Sequence, residues 1–377
     1  MSIDSQLSNI SRRRRSVQDQ LQELEELEVR TSLPEGVRPP VEEPLHYGKR
    51  YKLRVILNIL QGSLWGVLAR RGLDLLTTYN HNYLGGVVWS NFTACSVMGV
   101  LVGTEQLWED LNDIKARIPL YIGLSTGFCG TFSSFSSAML EAVERGINAP
   151  LSEVGGSLPS APYGIMESLS VVICQLALSI MGFSMGKHLA EALDNFVPPM
   201  TQTITQILEY GLIVIGVCLY IAAVVLCGTE SSEVTLRQWT FSIVFAFFGA
   251  WTRYLVSKYL NGKLKKFPLG TFTANILGCI IIALVVSLSN GKRHKNWSMG
   301  VDNLIVNTSI SCEVLAGIKE GFCGGLTTVS TFVVELFGLE TIYAYRYGTI
   351  SIATGFSVCI VILGTVNWTV GLGDAIC

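Results

Sequence analysis

Two asparagines, Asn91 and Asn275, stand in the middle of long apolar stretches of the sequence. An amide without a hydrogen-bond partner is costly in an apolar environment, so each asparagine should face the protein interior and bind something there. One interpretation is a hydrogen bond that joins two helices. The other is a polar group on a transport pathway, which is favoured because Gly86 and Gly270 precede the two asparagines at the same spacing.

Two further segments, residues 130–134 and 324–328, are rich in Gly, Ser and Thr. These residue types form helix poorly, because glycine is flexible and Ser and Thr side chains compete for backbone partners. We therefore expect a local break in each helix. If the two breaks meet, their freed carbonyl oxygens would suit a small hard cation such as Na⁺. A close-packed crossing of small-residue helices is the alternative.

Each of these segments is followed by one phenylalanine, Phe135 in the first and Phe332 in the second. The edge of an aromatic ring carries partial positive charge, so ring edges that line a pore could hold an anion without trapping it. Ordinary packing is the alternative for each ring taken alone. A track of hydroxyl groups is also expected along one face of the last apolar stretch, formed by Tyr347, Ser351 and Thr354.

Charged residues near the ends of the apolar stretches form matched pairs. Arg70 and Arg253 would either reach the membrane surface or concentrate anions at two vestibules. Glu141 and Glu335 are expected at the same level, as helix-end or vestibule carboxylates. Glu167 lies where the counterpart of the hydroxyl track would be, and its carboxylate would repel an anion.

No constellation typical of an enzyme lies within the apolar stretches, because the four histidines are all in the tail or in loops. The ten cysteines form no CxxC pair and no cluster with histidine at metal-ligand spacing, so we expect free thiols rather than ligands or disulfides. The composition makes a nucleic-acid-binding protein or a soluble enzyme improbable, and the net charge of −2 indicates no particular partner.

The elements that must position these residues are membrane spans. Of 377 residues 49% are hydrophobic and only 15% are charged, and the charges concentrate near the N-terminus and in short loops. In lipid each span must satisfy its own backbone hydrogen bonds, so the fold class is all-α, a polytopic membrane protein. Nine transmembrane helices are predicted, at residues 52–70, 83–103, 118–140, 162–186, 206–227, 239–260, 267–288, 313–338 and 342–365.

The spans form two repeats. Arg70 of the first span matches Arg253 of the sixth, and the sequence GFCG occurs from Gly127 in the third span and from Gly321 in the eighth. Four spans precede the fifth and four follow it, so the fifth, which reads as apolar all round, is expected to invert the second four-helix repeat. The predicted parts are a polar tail (1–50), the first repeat (51–190), the linker helix (205–228), the second repeat (238–365) and a short C-terminal tail (366–377).

Orientation follows from the loop charges. Basic residues precede the first span and crowd the loop after the sixth, which places the N-terminus in the cytoplasm and the C-terminus outside. The basic residues Lys292, Arg293 and Lys295 in the loop after the seventh span oppose this orientation. Sequons at Asn296 and Asn307 would accept glycans only on the outer side.

With Gly270-Thr271-x3-Asn275 and GFCGGLTTVSTF from Gly321 to Phe332, the chain resembles eukaryotic fluoride exporters of the CrcB-like, or Fluc/FEX, fluoride channel family. The resemblance covers residues 51–190 and 238–365. It implies fluoride as the transported ion, a plasma-membrane location, antiparallel four-helix units and a central structural Na⁺. By motif position the Na⁺ ligands would be the carbonyl groups of four residues, Gly130, Ser133, Gly324 and Thr327.

The resemblance also implies a fluoride pathway, with Thr271 and both asparagines among its residues. In the family each pore combines the first phenylalanine of one repeat with the second of the other. Phe135 and Phe332 would therefore share one complete pore, whereas Ala138 and Val329 occupy the ring positions of the other. We predict a passive fluoride channel with one conducting pore, in a monomer with internal antiparallel symmetry. A proton-coupled secondary anion transporter is the alternative.

Overall fold

The structure is a computed structural model that describes residues 48–79, 85–111, 115–149, 160–194, 196–229, 234–292 and 304–377. Within these ranges the chain is helical and has no β-strand, only two isolated bridges near the C-terminus. The predicted all-α class is thereby confirmed. The polar tail up to residue 47 and the sequon at Asn296 lie outside the described residues.

The first half of the chain contains one interrupted helical span among continuous helices. Its helices are α1 (Lys49–Thr77), α2 (Val87–Gly103), α3 (Pro119–Ile122), α4 (Gly130–Phe132), α5 (Phe135–Gly146) and α6 (Ala161–Asp194). Between α3 and α4, residues Gly123–Cys129 continue the helix with wide π turns. The third span therefore runs from α3 to α5 and is broken after Phe132.

The second half has the same order of elements, and helix α7 (Gln202–Thr229) connects the two halves. Its helices are α8 (Val234–Leu260), α9 (Leu269–Asn290), α10 (Ser309–Gly317), α11 (Gly324–Leu326), α12 (Ser330–Gly338), α13 (Thr341–Cys359) and α14 (Thr365–Thr369). Wide π turns again lead into the break, at Ile318–Cys323, and others join α13 to α14 at Ile360–Gly364. The eighth span is therefore interrupted after Leu326.

Each of the nine predicted spans falls on a continuous or interrupted helix of the described chain. Five helices are long and apolar enough to cross a bilayer by length and composition: Pro162–Asp194, Gln202–Thr229, Leu269–Asn290, Ser309–Gly338 and Thr341–Thr369. The α2 helix is apolar but has only 17 residues. Helix α1 contains Arg70 and helix α8 contains Arg253. Each arginine lowers the mean hydropathy of its helix, although both side chains are buried.

Glycines allow the interrupted spans to pack directly on α1 and α8. A Cβ atom on Gly66 would lie 2.6 Å from the carbonyl oxygen of Phe128, and one on Gly249 would lie 2.2 Å from that of Phe322. Either distance is far inside van der Waals contact, so a larger residue would push the helices apart. Matched glycines thus meet matched carbonyl groups, and the arginine one turn later in each helix reaches the level of the break.

The connecting helix α7 is not apolar all round, and the sequence-based expectation is wrong in this respect. Glu209 is fully buried and accepts hydrogen bonds from Nε and Nη2 of Arg54 in α1, at 2.8 and 2.6 Å. Asn58 of α1 also donates to Glu209, at 3.1 Å. A buried carboxylate requires such partners. A single acidic residue hardly changes the mean hydropathy of a long helix, so the mean does not reveal Glu209.

The expectation of free thiols is wrong for one pair, because Cys312 and Cys377 form a disulfide. The other eight cysteines are free. The fold brings the C-terminal segment to the end of α9, where the backbone N–H of Gly373 donates to the carbonyl of Asn290 at 2.8 Å, and Cys377 thereby reaches Cys312 in α10. A separation of 65 residues between the two cysteines gave no indication of this proximity.

Candidate functional site

Each interrupted span breaks at the Gly/Ser/Thr segment that the sequence indicated. Ser133 and Ser134 have extended backbones, with φ −85° and ψ 154° in the first and φ −144° and ψ 116° in the second. Thr327 is similar, with φ −97° and ψ 155°. Helical hydrogen bonds stop there, and the freed backbone groups need other partners because they are buried.

Each of the two matched asparagines forms hydrogen bonds to the interrupted segment of its own half. Asn91 Oδ1 accepts from the backbone N–H of Ser134 at 2.8 Å, and its Nδ2 donates to the carbonyl of the same residue at 3.4 Å. Asn275 binds Thr328 in the same way, at 2.9 and 3.2 Å. Both side chains are fully buried. They therefore join neighbouring elements, and their role on a transport pathway stays a prediction.

Hydroxyl groups cross between the two breaks. Ser133 Oγ accepts from the backbone N–H groups of Val329 and Ser330, at 3.2 and 3.1 Å. In return, Thr327 Oγ1 accepts from the backbone N–H of Ser136 at 3.2 Å. These N–H groups lie at the starts of α12 and α5, where a helix lacks internal acceptors. Each break thus caps a helix of the other half.

The guanidinium groups of Arg70 and Arg253 lie between the two halves, deeper than the vestibules that we expected. Arg253 donates to the carbonyl of Gly130 at 2.7 Å and to a second carbonyl of the same span at 2.6 Å. Arg70 donates to the carbonyls of Thr131, at 2.7 Å, and of Glu320. The two side chains are 1% and 2% exposed. A cation buried this deeply needs acceptors, and the interrupted helices supply them.

The four residues that the sequence assigned to Na⁺ come together where the breaks meet. Ser133 and Thr327 are the first extended residues, and Gly130 and Gly324 begin the short helices before them. Backbone carbonyl oxygens have the chemistry that a hard cation requires. The carbonyl of Gly130 already accepts from Arg253, and its second lone pair can still bind an ion. The residues supply the oxygen donors that Na⁺ requires, but Arg253 lies against Gly130 and Arg70 against Gly324, so the ion would share the site with two buried guanidinium groups.

The two phenylalanines also come together, although they belong to different halves. The ring centroids of Phe135 and Phe332 are 5.7 Å apart, at an interplanar angle of 64°, so an edge faces a ring. Phe332 also contacts Tyr347, at 5.1 Å between centroids. On the other side, a Cβ atom on Gly355 would lie 2.8 Å from Cε1 of Phe135. The ring pair therefore packs against α13, the helix of the predicted hydroxyl track.

Glu335 lies inside the protein, deeper than the predicted vestibule position. Its carboxylate accepts from Thr271 Oγ1 at 2.5 Å and from the hydroxyl of Tyr347 at 2.6 Å. All three side chains are fully buried. Because Tyr347 also contacts Phe332, these hydroxyl and carboxyl groups adjoin the ring pair.

Ser351 lies one turn after Tyr347 on α13 and is fully buried. Its hydroxyl group has no hydrogen-bond partner among the described residues. Leaving such a group unpaired costs about 1–3 kcal/mol, so a water or a ligand is expected to bind it. Thr354 continues the same helix and is half-buried. The hydroxyl groups of Tyr347, Ser351 and Thr354 thus lie along the helix against which the rings pack.

The matching groups of the first half are bonded differently. Glu141 accepts from the backbone N–H of Gly85 at 2.7 Å and from the Gln175 amide at 3.0 Å. Asn91 Nδ2 also donates to Gln175 Oε1, at 3.0 Å. Sequence reasoning missed Gln175. A signal existed, because Gln175 is polar within an apolar stretch and Cys359 is its counterpart in the second half.

On α6 the positions that match Tyr347, Ser351 and Thr354 are Tyr163, Glu167 and Ser170, and none of them is buried. Tyr163, the counterpart of Tyr347, is 54% exposed. The carboxylate of Glu167 lies 4.0 Å from a guanidinium nitrogen of Arg145. Helix α6 packs against α2 and α5, whereas the ring pair packs against α13.

A family model described as "CrcB-like protein, Camphor Resistance (CrcB)" matches the chain twice, at residues 57–186 and 240–365. Fluoride export protein 1 of Candida albicans is 46% identical over 369 residues, which cover 96% of this chain and 93% of that protein. Fluoride export protein 1 of Saccharomyces cerevisiae is 31% identical over 357 residues, 83% of this chain and 92% of that protein. Fluoride-specific ion channel FluC 2 of Rhodococcus jostii is 34% identical over 113 residues, 29% of this chain and 81% of that protein. No solved structure matches the chain.

Proposed function

Because the chain belongs to the CrcB-like protein family, we propose that it is a passive fluoride channel that exports F⁻ from the cytoplasm across the plasma membrane and thereby gives fluoride resistance. The names of its relatives, fluoride export protein and fluoride-specific ion channel, support the substrate. A membrane potential that is negative inside would drive the anion outward, with about 2.3 kcal/mol per charge for each 100 mV. No coupled reaction is then needed.

The ring pair is the single observation that carries this proposal. Phe135 and Phe332 meet at 5.7 Å from two halves of the chain and adjoin the hydroxyl of Tyr347. An anion entering beside Thr271 and Tyr347 would exchange water for hydroxyl donors, pass the positive ring edges and continue to Ser351 and Thr354. Donors of this kind replace hydration without a fixed positive charge that would hold the ion.

Hydroxyl groups suit this route because each O–H can rotate between acceptors. Tyr347 and Thr271 now donate to Glu335, and Ser351 has no partner among the described residues. A fluoride ion could accept hydrogen bonds from these hydroxyl groups, which would turn back to Glu335 after the ion has passed. The site therefore offers several weak contacts in sequence, as rapid conduction requires.

One conducting route follows from the distribution of rings. The positions that match Phe332 and Phe135 in the opposite pairing are Ala138 and Val329, which offer no ring edge. In our proposal this second arrangement does not conduct.

The membrane arrangement that we propose has nine spans, with two four-helix repeats inverted by α7, and the chain acts as a monomer. The reciprocal caps between the breaks support an internal two-fold relation. The Cys312–Cys377 disulfide supports an outer C-terminus, since disulfides persist outside the reducing cytosol. The exposed Asn307 would then lie on the outer side as well.

We also propose a structural Na⁺ at the meeting point of the breaks, held by the carbonyl groups of Gly130, Ser133, Gly324 and Thr327. The ion would bind carbonyl oxygens that the breaks release from helical hydrogen bonds. Its test is a thermal unfolding series in which Na⁺ is replaced by a bulky organic cation. A midpoint that rises with Na⁺ concentration supports the site, and a midpoint that depends only on ionic strength contradicts it.

Proton-coupled anion transport is a second candidate, and the buried carboxyl group of Glu335 is the observation that favours it. Coupling requires a titratable group on the route, and Glu335 adjoins the ring pair through Tyr347. Replacing Glu335 with Gln keeps the shape but removes the titration. If coupling operates, the Gln variant should lose any dependence of flux on a pH gradient.

The route itself is tested with matched tyrosine variants. Tyr347→Phe removes a buried hydroxyl beside the rings, and Tyr163→Phe removes the counterpart, which is 54% exposed. We expect fluoride efflux from liposomes to fall at least fivefold in the first variant and to stay within twofold of the native value in the second. Equal flux in both would mean that the ions do not pass Tyr347.

A further inference from the structure

A set of three polar residues in the first half occupies the position that corresponds to the hydroxyl cluster of the second half. It consists of Asn91, Gln175 and Glu141, joined by hydrogen bonds of 3.0 Å each. We propose that Gln175 closes the second route between the halves, the one beside Ala138 and Val329, so that missing rings are not its only obstruction. The inference rests on the proposed fluoride channel with one conducting route.

The position of these three polar residues follows from the repeat. Glu141 lies three residues after Ala138 on α5, as Glu335 lies three residues after Phe332 on α12. Each carboxylate therefore stands one turn beyond the ring position of its own route. A group that binds Glu141 lies next to the second route, just as Tyr347 lies next to the first.

The partners of the two carboxylates differ in their freedom to move. Glu335 is bound by two hydroxyl groups, which can rotate toward a passing ion. Glu141 is bound by a backbone N–H of Gly85 and by the amide of Gln175, which is itself held by Asn91. An ion on this route would have to break several fixed hydrogen bonds at once, and each buried group left unpaired would oppose its entry.

The matching residues of the two routes are equally buried, so burial alone does not distinguish them. Asn91 is fully buried, and Gln175 is 4% exposed. In the second half Cys359 stands in the place of Gln175 and has a smaller side chain, which is also fully buried and lies near the carbonyl of Cys279. Asn275 correspondingly binds only its own break, Thr328, in the contacts that the described chain shows. Besides the missing rings, the first half thus has an amide that connects its asparagine to its carboxylate, and the second half has none at the matching position.

The first experiment places that amide in the conducting route of the full-length protein. Cys359→Gln should join Asn275 to Glu335 and reduce fluoride efflux from liposomes at least tenfold. Cys359→Met, which is similar in size but has no amide, is the matched control and should keep efflux within threefold of the native protein. Equal losses in both variants, with unchanged thermal unfolding, would show an effect of size alone and overturn the proposal.

The converse experiment opens the second route. Phe332→Ile closes the first, and Ala138→Phe with Val329→Phe restores a ring pair in the second. This triple variant should stay at background, and adding Gln175→Cys should raise its fluoride efflux at least tenfold. Flux in the triple variant itself, or no gain in a quadruple variant that elutes as the native protein does, would overturn the role of Gln175.

Different results would contradict the proposed function and the inference about Gln175. If Phe332→Ile alone retains about half of the native flux, two routes conduct and the one-route proposal fails before Gln175 is changed. If Gln175→Cys in the native background changes flux more than twofold, the residue acts on the first route and the inference is wrong. Fluoride efflux of the native protein serves as the reference in each series.

Discussion

Replacing Phe332 with Ile separates one conducting route from two. The ring of Phe332 contacts those of Phe135 and Tyr347, at 5.7 and 5.1 Å between centroids. Losing two such contacts costs about 1–3 kcal/mol beyond buried area. A folded domain typically has about 5–15 kcal/mol, so the variant should still fold. Its unfolding midpoint should fall while its elution in detergent stays unchanged.

The effect on transport is much larger if only one route conducts. An increase of about 1.4 kcal/mol in the barrier reduces flux tenfold, whereas losing one of two equal routes halves it, which corresponds to about 0.4 kcal/mol. We expect fluoride efflux from liposomes, followed with a fluoride electrode, to fall at least tenfold. Val329→Ala, in the other ring arrangement, is the control and should change flux less than twofold. Efflux near half the native rate in Phe332→Ile would refute the reasoning.

Three further predictions concern the buried asparagines, the buried arginine of α8 and the disulfide. Asn91→Ala should lower the unfolding midpoint more than Asn275→Ala, since each leaves a buried N–H and C=O of its break unpaired and Asn91 also binds Gln175. The two variants should reduce flux unequally, and equal negligible losses of flux would remove both asparagines from the pathway. Arg253→Lys should restore only part of the stability that Arg253→Gln loses, because an ammonium lacks the fork that binds two carbonyls; full rescue would contradict this. Cys377, which is half-buried, should react with an impermeant maleimide on intact cells only after its disulfide with Cys312 is reduced externally. Labelling only after permeabilisation would reverse the proposed orientation.

Much of the fold was accessible from the sequence because the bilayer restricts the choices. A chain with long apolar stretches must form helices there, and all nine predicted spans fall on helical segments of the described chain. The two breaks were also predictable, since Gly, Ser and Thr concentrate where the helices are interrupted. The pairing of Phe135 with Phe332 came from the family resemblance, and no property of either residue alone would have indicated it.

The incorrect expectations about buried charges have one physical cause. A hydropathy average assigns each charge to its own helix and ignores partners on other helices. Arg70 and Arg253 were expected at the membrane surface or in two vestibules, yet carbonyl groups of the interrupted spans bind them inside. Glu209 on α7 was overlooked, although Arg54 of α1 binds it in the interior. Such partners come from other helices, so only the three-dimensional arrangement shows that a buried charge is satisfied.

Gln175 shows a different limit. The repeat alignment contained the difference between Gln175 and Cys359, but polar residues in the middle of a span are common enough that it attracted no attention. Its meaning depends on two hydrogen bonds, to Asn91 and to Glu141, that link three separate helices. The hydrogen-bond partners of matched residues thus show a difference between the two halves that the residue types alone do not show.

The most direct test of the central claim is fluoride efflux from liposomes that contain the purified full-length protein, with the membrane potential set by a potassium gradient. The account predicts that flux follows the electrochemical gradient of fluoride, reverses when that gradient is reversed, and continues without a pH gradient. Chloride under the same potential should pass far more slowly. Fluoride flux that occurs only when a proton gradient is imposed would contradict a passive channel and establish coupled transport instead.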